Sequence, residues 1–195
     1  MRIYLYKLRT DNGSAPAVAR GILTLAICKP RIRATAEVGD WIIGVAARSL
    51  RAGAPLIYVA QVTEVLEDGQ YYALSETKRR RDAIYEWIKG RLRMKPPPRV
   101  HDETDVLRDI GSAPRHRGAR VLVSKRFRYF GETASAWYAS VSPRAHSLAE
   151  SVGRGHRVNH SESDYLELDR VIRAAMRKRQ RQTRSIEHRR VACRH

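Results

Sequence analysis

The sequence predicts an α+β protein with a compact mixed or antiparallel sheet that could close into a barrel, a few short helices and a C-terminal helix. Short apolar segments follow one another along residues 2–66 without long helices between them, which favours this class over a doubly wound sheet. Over residues 165–176, apolar side chains recur at helical spacing. We expect an α+β domain over residues 1–158, and an amphipathic helix with a basic tail over residues 159–195.

Four strands are predicted in the first third of the chain. Residues 2–8 alternate around isoleucine, leucine and tyrosine, and residues 21–28 form an almost unbroken apolar run typical of a buried strand. Residues 41–46 and 56–66 give the third and fourth strands.

The middle of the chain is less regular. We expect a short helical turn over residues 32–37 and a hairpin turn at Asp68-Gly69, because both residue types favour turns. Residues 82–88 are interpreted as helical, and residues 101–118 as a surface loop containing one short helical turn.

Regular structure is predicted again after residue 120. Two strands are expected over residues 120–124 and 127–131, and a short helix over residues 147–152. The last helix should begin near Ser161, where Ser-x-x-Asp resembles a capping box. We expect the chain beyond Gln182 to be frayed.

The charge of the chain is strongly positive. Its 38 Lys and Arg residues against 20 Asp and Glu give a formal net charge of +18. Such a surplus suits a polyanionic partner, although arginine that merely covers solvated faces would give the same composition. Arginine also matches phosphate and base edges through its planar fork.

The two cysteines, Cys28 and Cys193, indicate neither a disulfide framework nor a paired metal motif. No nucleophilic serine or cysteine arrangement and no nucleotide-phosphate loop is recognisable. No segment has the length of a signal-peptide apolar region or a membrane span, so we expect a cytoplasmic protein without a membrane partner.

Short motifs along most of the chain resemble one family in their order and spacing. They are Tyr6-Lys7, Asp11-Asn12-Gly13, Ala15-Pro16, 25–33 (LAICKPRIR), 39–44 (GDWIIG), 56–58 (LIY), 62–64 (VTE), 82–86 (DAIYE), 121–124 (VLVS), 127–131 (FRYFG) and 153–156 (GRGH). This pattern resembles the nucleotide modification associated domain 2 family. Residues 79–117 match only loosely, with Ala83 where a polar residue is expected, and the chain after Arg177 lies outside the resemblance. The resemblance implies a link with systems that modify or process bases in nucleic acid.

Four residues are candidates for catalysis. Asp11 lies in a turn after a strand, where it could act as an acid or base or hold a metal, although Asp-Asn-Gly is also simply a good turn. Lys29 and Asp40 would join Asp11 if the strand ends converge. His156 follows Gly-Arg-Gly and can titrate near neutral pH. No set of metal ligands at a diagnostic spacing is present, and no cofactor is indicated.

Six residues are candidates for nucleic-acid binding. They are Asn12, Arg31, Arg33, Arg126, Arg128 and Arg154. The two arginines at 126 and 128 alternate with aromatic residues, which suits base stacking with phosphate contacts but equally an ordinary half-buried strand. Further basic residues at 78–81 and 173–190 could add phosphate contacts.

The sequence therefore predicts a nucleic-acid-associated protein of a base or nucleotide modification system, which binds nucleic acid through a basic surface. The alternative is an enzyme acting on a nucleotide or base, with Asp11, Lys29 and His156 in an acid/base or metal-assisted site. The expected partner is DNA, RNA or a nucleotide.

Overall fold

The computed structural model describes residues 1–97 and 101–178. The chain forms two compact units from alternating segments. Unit 1 contains Met1–Asp11, Val38–Val62 and the described residues from 125 onward, and unit 2 contains Asn12–Glu37 and the described part of Thr63–Ser124.

Eleven strands and five α-helices are present in the described ranges. The strands are β1 (Ile3–Leu8), β2 (Ala17–Ala19), β3 (Ile22–Leu25), β4 (Trp41–Ala46), β5 (Leu56–Gln61), β6 (Glu64–Leu66), β7 (Tyr85–Ile88), β8 (Arg91–Met94), β9 (Val121–Ser124), β10 (Arg126–Tyr129) and β11 (His156–Arg157). The helices are α1 (Pro30–Thr35), α2 (Gln70–Ala73), α3 (Val106–Ile110), α4 (Pro143–Ser151) and α5 (Glu162–Arg177). Short 3-10 turns lie at Ser75–Thr77, Glu103–Asp105, Gly131–Thr133 and Trp137–Ala139.

Unit 1 is built on a five-stranded sheet with the order β10-β5-β4-β1-β11. β1 and β4 run parallel, and the other pairs are antiparallel, so the sheet is mixed as predicted. One face carries the core of this unit, where apolar strand residues pack with α4 and α5. The predicted stripe of α5 is confirmed, because Leu168, Val171, Ile172 and Ala175 are all buried. The Ser161 hydroxyl accepts a hydrogen bond from the Asp164 N–H and so caps the helix.

On the opposite face, one transverse row of paired residues crosses all five strands. Tyr129 pairs with Tyr58, Tyr58 with Gly44, Gly44 with Tyr6, and Tyr6 with His156. The Tyr58 ring lies over Gly44, where a Cβ atom would be 2.3 Å from the ring carbon Cε1. The missing side chain therefore lets the Tyr58 hydroxyl come within 2.9 Å of the Tyr6 hydroxyl.

Unit 2 contains a four-stranded antiparallel sheet with the order β2-β3-β9-β6, and a separate two-stranded ribbon formed by β7 and β8. Its core combines apolar residues from these strands, α2 and α3. They include Ala26, Ile27, Tyr71, Tyr72, Tyr85, Leu92, Ile110 and Val121.

Three expectations about the sheets are corrected. The strands form three separate sheets instead of one, and within the described ranges none of them closes into a barrel. The strand expected over residues 56–66 is two strands, β5 and β6, in different sheets. The segment after Asp68-Gly69 forms the short helix α2 instead of a second hairpin strand, although Gly69 does adopt a left-handed φ of 77°.

Two expectations about the middle segment are also wrong. Residues 82–88 do not form a helix: β7 begins at Tyr85 and pairs with β8 through a turn at Lys89-Gly90, whose φ angles are 48° and 74°. The segment 101–118 contains the expected helical turn, α3, but the rest is not simply a surface loop, because His101, Asp109 and His116 are buried. These polar side chains bury because each of them forms hydrogen bonds with other residues of unit 2.

Candidate active site

The connection between β3 and α1 holds two residues in an unusual conformation. Cys28 and Lys29 have φ angles of 58° and 44°. A left-handed conformation costs a residue with a side chain roughly 1–2 kcal/mol, and such strain clusters at functional sites. Cys28 is half-buried and retains its thiol. The tight strand–turn–helix connection therefore presents a partly accessible sulfur atom, as nucleophile-bearing turns do.

A histidine and a carboxylate stand behind this thiol. The Cys28 Sγ atom is 3.1 Å from Nε2 of His101. The other ring nitrogen, Nδ1, is hydrogen-bonded to Oδ2 of Asp109. His101 and Asp109 are buried, at 4% and 1% exposure, whereas the cysteine is reachable from solvent. Thiol, imidazole and carboxylate thus form one continuous chain, which we call the triad.

Asp109 is surrounded by donors. The Tyr85 hydroxyl donates to its Oδ2 atom at 3.0 Å, and the Cys28 N–H donates to Oδ1 at 3.2 Å. A guanidinium nitrogen of Arg33 lies 3.7 Å from Oδ1. Burial, followed by the Asp109 charge, raises the pKa of the Tyr85 hydroxyl, so it stays a donor. These contacts hold the Asp109 carboxyl group in place, and it in turn fixes the orientation of the imidazole ring.

Arg33 braces the turn from the inside of unit 2. Its side chain is 1% exposed and donates to the carbonyl oxygens of Cys28, Gly118, Arg120 and Asp109 at 2.8, 2.5, 2.8 and 3.0 Å. A buried guanidinium is tolerated when its donors are satisfied in this way. The structure gives Arg33 this bracing role, and the contact with nucleic acid expected from the sequence stays a prediction.

The triad has the geometry of an activated nucleophile. Asp109 accepts a hydrogen bond from Nδ1–H of His101, which leaves Nε2 able to accept the proton of the Cys28 thiol. The product is a thiolate beside an imidazolium, and the thiolate is the reactive form of cysteine. The arrangement can therefore attack an electrophilic carbon and return a proton to the product.

Sequence reasoning missed this triad. It placed Cys28 in an apolar strand, put residues 101–118 in a surface loop and found no nucleophilic cysteine, which the geometry corrects. The three residues lie far apart in the chain, and no local spacing connects them. The available signal was Cys-Lys-Pro directly after a buried run, where proline forces a turn at the end of the strand.

A second buried carboxyl supports β3 beneath the turn. Asp82 accepts hydrogen bonds from the Thr24 hydroxyl at 2.5 Å and from the Tyr71 hydroxyl at 2.6 Å. Arg80 donates to the same Thr24 and Tyr71 hydroxyls. Burial raises the pKa of the Asp82 carboxyl, and the two hydroxyl hydrogen bonds oppose that shift. Because Thr24 lies on β3, this network fixes the strand that leads into Cys28.

Of the predicted catalytic residues, Asp11 and Asp40 lie in unit 1 at different ends of the sheet. β1 and β4 are parallel and in register from Ile3 to Leu8, so Asp40 lies where they start and Asp11 follows the end of β1. Six residues of strand extend over about 20 Å. The convergence of strand ends that the sequence left open therefore does not occur between these two carboxylates.

Each of these carboxylates has its own partners. Asp40 accepts hydrogen bonds from the backbone N–H and guanidinium of Arg2 at 2.7 and 3.0 Å, which ties the starts of β1 and β4 together. Asp11 is half-buried and accepts from the Tyr129 hydroxyl at 2.7 Å. Burial raises the pKa of Asp11, while Tyr129 and then Arg51 pull it back.

His156 and Lys29 have different surroundings. His156 lies on the edge strand β11, with its ring centroid 5.6 Å from that of Tyr4. Lys29 is next to Cys28 in the strained turn and is half-buried. Lys29 is thus the only predicted catalytic residue within the described part of unit 2, the unit that contains the triad.

The predicted nucleic-acid-binding residues are dispersed. Arg31 and Arg154 are exposed, on α1 and before β11. Arg126 donates to Gln61 at 3.0 Å, and Arg128 donates to the Lys178 carbonyl at 2.8 Å. Asn12 accepts a hydrogen bond from the Ser14 N–H, as a turn residue does. The basic residues predicted at 179–190 lie outside the described residues.

Fold and site define the class as an α+β protein with a cysteine–histidine–aspartate arrangement at a strand–turn–helix connection. The family model described as nucleotide modification associated domain 2 matches residues 1–189. The chain therefore belongs to that family, and the resemblance seen in its motifs is confirmed. The match continues past Arg177, so the expectation that the chain after this residue lies outside the resemblance is wrong. The family's description associates the chain with nucleotide modification. No curated protein and no solved structure gave a significant match. Among the helices described, none has the length and apolar character to cross a membrane.

Proposed function

We propose that this protein is an enzyme of a nucleotide-modification system, and that Cys28 attacks a base or nucleotide as a nucleophile. The observation that carries the proposal is the 3.1 Å contact between Cys28 Sγ and His101 Nε2, with Asp109 holding the opposite ring nitrogen. The family description, which associates the chain with nucleotide modification, supports a base or nucleotide as the substrate. The triad supports nucleophilic attack by cysteine, for which the sequence alone contains no recognisable motif.

The proposed step is an addition to an electrophilic carbon. The thiol proton passes to His101 Nε2, and the Cys28 sulfur forms a bond to a carbon that is doubly bonded in the substrate. The π bond breaks, and its electron pair moves to the neighbouring atom, which takes the proton from His101. Asp109 stabilises the transient imidazolium without itself becoming protonated.

Lys29 fits this proposal as a binding residue. Its ammonium belongs to the residue directly after the nucleophile, and a phosphate is the anion that a nucleotide brings to such a site. The catalytic roles predicted for Asp11, Asp40 and His156 stay predictions, and in this proposal those residues act outside the triad.

A second candidate function is nucleic-acid binding through a basic surface in the cytoplasm, favoured by the formal net charge of +18. Exposed arginines such as Arg31 and Arg154 support it. The test is binding to labelled single-stranded DNA, duplex DNA and tRNA over a salt series, where phosphate contacts give a steep salt dependence. No binding at moderate salt contradicts this function.

The nucleophile proposal is tested by protection of Cys28 from iodoacetamide. The thiol is alkylated in the presence of single nucleotides or oligonucleotides with natural and modified bases, and peptide mass spectrometry follows Cys28 and Cys193 separately. We expect at least one compound to slow the labelling of Cys28 and leave that of Cys193 unchanged. A Cys28→Ala variant should also lose any mass adduct formed with that compound. A reactive Cys28 that no nucleotide or oligonucleotide protects contradicts the proposal.

A further inference from the structure

The β7–β8 ribbon of unit 2 has a tight, exposed tip. Ile88 pairs with Arg91 across the turn at Lys89-Gly90. Both turn residues have positive φ angles, 48° and 74°, as two-residue hairpin turns of matching twist require. All four tip residues are exposed.

The outward face of the ribbon is basic. Arg91 and Arg93 point away from the core, since their strand neighbour Leu92 is buried, and Lys89 is exposed at the tip. None of these three cations has an ion pair or hydrogen bond with the described residues. The ribbon's single acid, Glu86, is opposite Arg93 in the register. Three cations against one acid leave this face with a net positive charge.

The aromatic ring of the ribbon lies on the other face, because Trp87 pairs with the buried Leu92 in the register. Trp87 is 37% exposed, which is high for such a large ring, and Ile88 is 40% exposed. The Trp87 indole N–H donates to the Gly69 carbonyl at 3.1 Å, and its ring meets the His116 ring edge-on at a centroid distance of 5.6 Å. Trp87 therefore holds the ribbon against the rest of unit 2, while the cations of the outward face are free of its ring and can meet phosphates.

The ribbon is connected directly to the triad. Tyr85, at the start of β7, donates its hydroxyl proton to Asp109 at 3.0 Å. From Tyr85 to the tip at Ile88 the strand rises by about 10 Å, or roughly three nucleotide steps along one DNA strand. About three nucleotides of a polynucleotide therefore span the distance along the ribbon from its tip to Tyr85, the residue that contacts the triad.

We propose that the β7–β8 ribbon is the nucleic-acid-docking surface of the Cys28 site, so that the substrate is a nucleotide within a polynucleotide. Lys89, Arg91 and Arg93 contact the phosphates. A two-stranded ribbon also fits the major groove of a duplex. This inference rests on the proposed function for its active site, but its surface can be tested separately.

The test compares two double variants with the same change in charge. Arg91→Gln/Arg93→Gln alters the ribbon, and Arg144→Gln/Arg170→Gln alters α4 and α5, where the arginines are ion-paired with Asp164 and Glu167 at 2.6 and 3.3 Å. Binding of labelled duplex and single-stranded DNA and RNA is measured over a salt series. For duplex DNA, we expect the ribbon variant to lose about 1.8 in salt slope for two lost phosphate contacts. Its affinity should fall at least tenfold at moderate salt, while the control stays within twofold of wild type.

Two further readouts separate this inference from the proposed function. Without nucleic acid, iodoacetamide should label Cys28 at the same rate in the ribbon variant and wild type, whereas oligonucleotide protection of Cys28 should be lost in the ribbon variant alone. If the ribbon variant loses binding but Cys28 does not react with iodoacetamide, the docking-surface proposal stands and the nucleophile proposal is contradicted. A ribbon variant that binds like the Arg144→Gln/Arg170→Gln control overturns the docking surface. The docking-surface proposal is also overturned if polyglutamate competes with the labelled nucleic acid as strongly as unlabelled nucleic acid does.

Discussion

Replacing His101 with Gln should make the alkylation of Cys28 strongly dependent on pH. At 3.1 Å, a thiolate and an imidazolium attract by about 5 kcal/mol at an effective dielectric constant of about 20, which is nearly four powers of ten in the thiolate population. On a logarithmic scale, about half of this gain in thiolate population is lost from the alkylation rate, because a stabilised thiolate is a weaker nucleophile. Solvent at the half-buried sulfur screens the attraction further.

We therefore expect the variant to react with iodoacetamide at least tenfold more slowly than wild type at pH 6. An unassisted thiol loses about tenfold in rate per pH unit below its ordinary pKa near 8.5. Rates at pH 6, 7 and 8 are measured by peptide mass spectrometry, which separates Cys28 from Cys193. Circular dichroism and thermal unfolding control for folding, and denatured samples of both proteins should react equally. Equal rates for folded variant and wild type at pH 6 would refute the assignment of His101 as the base.

Three other substitutions test the packing and the buried polar groups. Gly44→Ala should destabilise the protein by about 1–3 kcal/mol because its Cβ would overlap the tyrosine ring above it. Thermal unfolding checks this against Gly153→Ala, where no atom lies within 4 Å, and equal stabilities contradict it. Burial raises the pKa of Asp11, so its share of the folding stability is present at low pH and is lost as pH rises through the raised value. Asp11→Asn keeps this side chain neutral at every pH. Between pH 4 and 7, denaturation should therefore show that the variant loses less stability than wild type. An equal loss in both proteins contradicts the raised pKa of Asp11. Tyr85→Phe removes a hydrogen bond to the triad carboxylate and should cost about 1.5–3 kcal/mol by urea denaturation. A cost near zero would show that the carboxylate does not depend on this donor.

The parts of the fold that follow from local patterns could be predicted. The α5 stripe and the Ser161 cap are set by residues within a few positions of one another, and β1 and β4 are marked by their apolar content. The ribbon was missed because Ile84, Tyr85, Trp87 and Ile88 are apolar without strict alternation. Its strand form comes from pairing with β8 instead.

The candidate site could not be predicted in the same way. Its three side chains meet only because the segment around α3 folds onto the turn at Cys28, a contact between residues 73 positions apart in sequence. A buried His and Asp also contradict the ordinary preference of charged residues for the surface. The sequence did single out Lys29, the residue next to Cys28, because a cation after a buried strand is a local signal; the role predicted for Lys29 stays a prediction.

The alternation of segments between the two units has a consequence for synthesis of the chain on the ribosome. Every described strand of unit 2 has been made once Ser124 is complete, and all three triad residues precede that point. Unit 1 must wait for β10, β11, α4 and α5, although its β1 is made before every other described strand. β1 therefore stays without its partner β11 until His156 and Arg157 have been synthesised. Its apolar residues also lack part of their core until the later residues of unit 1 have been made.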